Sequence, residues 1–77
     1  NTIENSYNMR MDIAKKIKEL RIERGVSQNT LAVALGVDRR SIINWEQGIN
    51  EPKAFYIAKL AVYFDVSSDY LLGLKDF

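Results

Sequence analysis

Seventy-seven residues make one small unit with no room for a second domain, and 47% hydrophobic with 27% charged residues is a globular composition. No apolar run approaches the roughly 20 residues that a membrane span needs. With no Cys and no His, a disulfide framework, a thiol nucleophile, an ordinary zinc site and the commonest general base are all excluded. The net charge of +1 is unevenly spread: eight Lys and Arg face five acids through Arg40, and three face five beyond it. That asymmetry fits a basic face turned to a polyanion, and fits a solvated helix surface equally well.

Residues 1–8 are polar, show no periodic apolar set and lack the basic and apolar regions of a signal peptide. Residues 1–11 are accordingly read as a polar tail, and the expected location is cytoplasmic. From Asp12 the apolar residues Ile13, Ile17 and Leu20 recur at four and three, one stripe of an amphipathic helix that Gly25 ends. Ser27 then offers a capping oxygen to a second helix, 28–35, whose buried stripe is Leu31, Ala32 and Leu35. Gly36 stops it, and Asp38 is a good cap for a third helix over 39–47. Two short helices joined by a Gly-containing turn have the composition of a helix-turn-helix.

Rotating the third helix by roughly 100° per residue separates two faces. Ile42 and Trp45 fall with Asp38 on the core side, and Arg39, Arg40, Ile43, Asn44 and Gln47 spread over the other. Two Arg, an Asn and a Gln are the side chains that pair with guanine and adenine edges in the major groove. Most such faces are merely solvated, but this one sits on the second helix of a Gly-turned pair, which favours DNA reading. Pro52 suits the first turn of a fourth helix from Lys53 to Phe64, with Ala54, Ile57, Leu60, Ala61 and Phe64 inward. Ser67 caps a short fifth helix, Ser68 to Leu72, before Gly73, and 74–77 is a C-terminal tail. Five helices and no strand pattern make the fold all-α.

These blocks, in order, are Gln28-Asn-Thr-Leu-Ala-Val-Ala-Leu-Gly-Val37, Ser41-Ile-Ile-Asn-Trp-Glu-Gln-Gly48, Pro52, Leu60-Ala61 and Val66-Ser-Ser-Asp-Tyr-Leu-Leu-Gly73. The ordered set closely resembles the Xre family, the helix-turn-helix type of Cro and the phage repressors, from about Ile13 to Gly73. The resemblance implies a compact five-helix, lambda-repressor-like DNA-binding domain over 12–73, working as a homodimer on a palindromic double-stranded operator to regulate transcription. It implies base reading by Arg39, Arg40 and Asn44, with Ile43 either tolerated surface or a contact to a thymine methyl. Backbone contacts would come from Gln28 and Ser41, joined by Gln47, Asn50 and Lys53. Arg21 and Glu46 match a partly buried ion pair between the first helix and the end of the third. Tyr63, Tyr70, Leu74 and Phe77 are the candidate dimer contacts.

The loop after the third helix departs from many relatives, reading Ile49-Asn50-Glu51 where Lys and Arg commonly hold phosphate. Asn50, Lys53 and the amides opening the fourth helix remain available for that task. An enzyme is disfavoured, since the carboxylates and Lys form no recognisable catalytic motif and no Gly-rich phosphate loop is present. No cofactor and no metal are expected. The alternative is an antitoxin or protein-interaction module, which exposed Phe55, Tyr56 and Phe77 would support.

Overall fold

The computed structural model describes the backbone of residues 2–76 and the side chains of residues 12–76. Its elements are α1 (Thr2–Glu23), α2 (Gln28–Leu35), α3 (Arg39–Glu46), α4 (Ala54–Phe64) and α5 (Ser68–Leu71), with no strand among the described residues. Ile13, Ile17 and Leu20 of α1 meet Leu31, Ala32 and Leu35 of α2, Ile42 and Trp45 of α3, Leu60, Ala61 and Phe64 of α4, and Leu71 of α5 in a single core. Helices of eight residues, the length of α2 and α3, are too short to persist alone in water, so their order derives from this shared burial.

One local device recurs at the corners. Gly25, Gly36 and Asp65 all take left-handed backbone, with φ of 67°, 73° and 56°. The Val that follows each one donates its amide back across the helix end: Val26 to the Arg21 carbonyl at 2.9 Å, Val37 to Ala32 at 3.0 Å, and Val66 to Ala61 at 3.0 Å. This six-to-one bond satisfies a carbonyl that the ended helix would leave orphaned. All three Val side chains tuck against the core. The next residue caps the following helix, Ser27 accepting from the Thr30 amide and Ser67 from the Tyr70 amide. A left-handed residue, an apolar anchor and a cap thus turn the chain in three residues.

Several expectations are corrected. Helical backbone starts at Thr2 rather than at Asp12; the stretch between holds no Gly or Pro to stop a helix. Asp38 occupies the N-cap of α3 but its side chain makes no capping bond and is exposed rather than on the core side. The first turn is held by the Ser41 amide on the Asp38 carbonyl at 2.9 Å. Helix α4 starts at Ala54 with Lys53 as its N-cap, so Pro52 precedes the helix. Pro52 is buried there and Ala54 is exposed, the reverse of the expected stripe, while Ile57 is half-buried. Helices α3 and α5 each end one residue early, with Gln47 and Leu72 as caps.

At Gly36 an added Cβ would meet no atom within 4 Å, so a side chain there is opposed by backbone strain alone. Gly36→Ala should therefore lower stability by roughly 1–2 kcal/mol. In a domain this small that is a Tm loss of several degrees, measurable by thermal unfolding, and Gly36→Asn should lose less because Asn tolerates this conformation.

Candidate nucleic-acid interface

Burial of Ile42 and Trp45 fixes which way α3 faces. Trp45 is 7% exposed and stacks at a tilt on Tyr56, ring centroids 5.6 Å apart, so it belongs to the core and is no platform for a base. On the far side Arg39, Arg40 and Gln47 are exposed, and Ser41, Ile43 and Asn44 are half-buried. The two guanidinium groups therefore stand at the N-terminal end of α3, where a recognition helix presents side chains to base edges.

A chain of polar contacts ties both ends of α3 to α1 and α2. Glu46 receives Arg21 bidentately, Nε to Oε2 at 2.6 Å and Nη2 to Oε1 at 3.0 Å, and the third Arg21 contact, Nη1, reaches the Val26 carbonyl at 3.0 Å. Gln28 donates Nε2 to the same Glu46 Oε1 at 3.1 Å and accepts the Arg39 Nη2 at 3.4 Å. The Glu46 side chain is 3% exposed and that of Arg21 13%. Charges so far from water need this geometry, since the pair must offset its desolvation with several charge-assisted bonds. The hydrogen bond to Glu46 raises the Arg21 pKa above its ordinary value, opposed by burial and assisted by coulombic attraction to Glu46. A raised cation pKa means its contribution is lost only above that pKa, so Arg21 stays charged at every working pH.

The other side of α3 is less basic. Asn50 and Lys53 are exposed and line a cleft of about 440 Å³ together with Glu51, Trp45, Ile49 and Tyr56. A carboxylate therefore shares the space where phosphate contacts were expected. Of the dimer candidates, Leu74 is 61% exposed and Tyr63 37%. Tyr70 is half-buried against the core with the Lys16 ammonium 5.1 Å from its ring centroid, and Phe77 lies outside the described residues. The structure does not gather the two tyrosines: Tyr63 borders a groove with Leu35, Phe55 and Val62, and Tyr70 borders another with Leu20 and Val66.

Sequence reasoning did not foresee Gln28 as the link between Glu46 and Arg39. Those partners lie 18 and 11 residues away, so no local pattern signals the contact. It also missed Lys59, whose Nζ donates to the Leu35 carbonyl at 3.0 Å and caps the end of α2.

The helix-turn-helix family profile matches residues 17–71. The chain belongs to this family, of the Xre type. It is 33% identical over 63 residues to the HTH-type transcriptional regulator ImmR of Bacillus subtilis (strain 168), covering 82% of this chain and 50% of that protein. It is 34% identical over 53 residues to the cryptic phage CTXphi transcriptional repressor RstR of Vibrio cholerae, covering 69% and 48%. This Xre-type chain thus spans about half the length of both regulators. Among solved structures, the restriction-modification controller protein C.AhdI from Aeromonas hydrophila superposes with a TM-score of 0.74 at 32% identity, over 80% of this chain and 94% of that one.

Removing one member of the buried pair should be worse than removing both. Arg21→Met alone or Glu46→Leu alone strands a buried charge and should cost about 3 kcal/mol, whereas the two together should cost clearly less than the single changes summed. Urea unfolding of the three variants checks this, and additive losses would contradict it.

Proposed function

We propose that this Xre-type domain is a sequence-specific DNA-binding regulator of repressor type that lays α3 in the major groove of its operator. The observation that carries this reading is the exposed Arg39–Arg40 pair at the start of the second helix of a Gly36-turned pair. The names of ImmR and RstR, a regulator and a repressor of transcription, support it. Arg39, Arg40 and Asn44 read bases, with Ile43 against a thymine methyl. Gln28, Ser41, Gln47, Asn50 and Lys53 meet the backbone. Arg pairs best with the O6 and N7 of guanine, so the operator contains guanines at the positions these residues reach.

The protein acts as a homodimer on a palindromic site, its recognition helices about 34 Å apart. Support for a protein contact comes from the exposed apolar surface of α4, where Phe55 is 65% and Val62 83% exposed beside Tyr63, and from Leu74. No described helix is long and apolar enough to cross a membrane, and we place the protein with its DNA in the cytoplasm.

Selection of bound sequences from a random duplex pool, run on the wild type and on Arg40→Ala, tests this function. A two-fold symmetric site should emerge for the wild type and relax at defined base pairs in the variant, with a loss of about 1–3 kcal/mol on the wild-type site. If neither protein enriches any sequence, operator reading fails and the same apolar surface makes a protein-binding module, as in an antitoxin, the better reading.

A further inference from the structure

We propose that α1 supplies a phosphate clamp for the bound duplex, centred on Lys18 and separate from the base-reading face. This rests on the DNA-binding function proposed above. Lys18, Arg21, Ser27, Gln28, Asn29 and Arg39 line a surface cleft of about 650 Å³ where α1, α2 and the first residue of α3 meet. Three cations and no carboxylate line it. Arg21 is committed to Glu46, and Ser27 is occupied in capping α2, so these two shape the cleft rather than bind in it. Lys18 and Asn29 are exposed, and neither has a hydrogen-bond or ion-pair partner among the described residues. Their donors are free for a ligand.

The position and the chemistry select the phosphodiester backbone. Arg39 belongs both to this cleft and to the reading end of α3, so the cleft borders the groove that α3 occupies. With a helix filling a major groove about 12 Å wide, whatever stands beside its N-terminal end faces the strand that walls the groove, and that wall is phosphate. A Lys ammonium is a compact charge with three rotatable donors, suited to phosphate oxygens and indifferent to sequence. An Asn amide adds a neutral donor of the kind that commonly meets the backbone. The clamp also resolves an imbalance: the cleft at the other end of α3 holds Lys53 but also Glu51, whereas no carboxylate lines this one.

The experiment titrates the wild type, Lys18→Gln and Lys15→Gln with the duplex that the wild type selects, between about 50 and about 200 mM salt. Lys15 lies on the exposed side of α1 outside the cleft lining, so its variant removes the same charge without removing the clamp. Lys18→Gln should bind more weakly, with the slope of log affinity against log salt shallower by about 0.9 per subunit. Repeat selection with it should return the wild-type base preference, and Lys15→Gln should keep the wild-type slope. Unchanged melting temperatures for both variants exclude a folding defect. A wild-type slope for Lys18→Gln overturns the clamp, as does an equal loss in Lys15→Gln, which would assign the effect to the general field of the domain. Failure of the wild type to select any duplex overturns the DNA-binding function instead.

Discussion

The orientation of the outer face of α3 depends on where Glu46 is held. It is the last residue of α3, and with its side chain only 3% exposed it is almost wholly withdrawn from water, so its charge fixes two partners around it through three hydrogen bonds. Arg21 approaches from α1 and Gln28 from α2, both ending on the same carboxylate. An apolar residue at this position would hold α3 against the core but would leave its rotation and register to packing alone. Two directional bonds from a guanidinium and one from an amide specify both. Because Gln28 also accepts Arg39, the constraint runs from the last residue of α3 back to its first by way of α2. A short helix pinned at both ends presents its outer side chains with little freedom left to lose on binding.

The corners do complementary work. Short helices have a high proportion of unsatisfied end groups, and here each corner spends the same few residues satisfying the carbonyls of one helix and the amides of the next. Asp65 shows that the requirement is conformational rather than a demand for glycine, since Asp takes φ of 56° where Gly25 and Gly36 take 67° and 73°. Gly48 and Gly73 have the same left-handed backbone, and Ile49 and Leu74 donate back to Asn44 and Asp69 in the same way. Their side chains, however, are exposed. The apolar anchor is buried where the chain must turn straight into another helix and is released where it does not.

Much of the fold was legible because its signals are local. The i, i+3 and i+4 recurrence of Ile13, Ile17 and Leu20, the Gly stops and the two Ser caps each act within one turn, so a reading by spacing recovers them. The misreadings are also physical. Asp38 has the right composition for a cap, but whether its carboxylate turns back onto the helix is decided by surroundings outside the local sequence. Pro52 is compatible with a first helical turn and with the residue before a cap; in the fold it is buried in the latter place. Of the candidate interface, the outward direction of Arg39 and Arg40 was legible from helical rotation once Ile42 and Trp45 were taken as buried. The link through Gln28 was not, because it joins three helices and leaves no periodic trace.

Helix α4 carries the remaining argument, because it is apolar on two sides. Leu60, Ala61 and Phe64 face the core, yet Phe55, Ala58 and Val62 recur at three and seven along the outside, and Lys59 is the one charged residue between Ala54 and Phe64. Even that charge is drawn inward: its ammonium caps the α2 carbonyl at Leu35 and lies 5.3 Å from the Phe55 ring centroid. A helix that is hydrophobic all round is normally a covered helix. A monomer of this size has little core to spare, and leaving such a face in water forgoes burial that it could use. Under the proposed dimer the same association would serve two needs, covering apolar surface and doubling the phosphate contacts of a subunit whose α3–α4 loop brings an acid to the DNA. Affinity for the operator and stability of the fold would then rise and fall together with protein concentration.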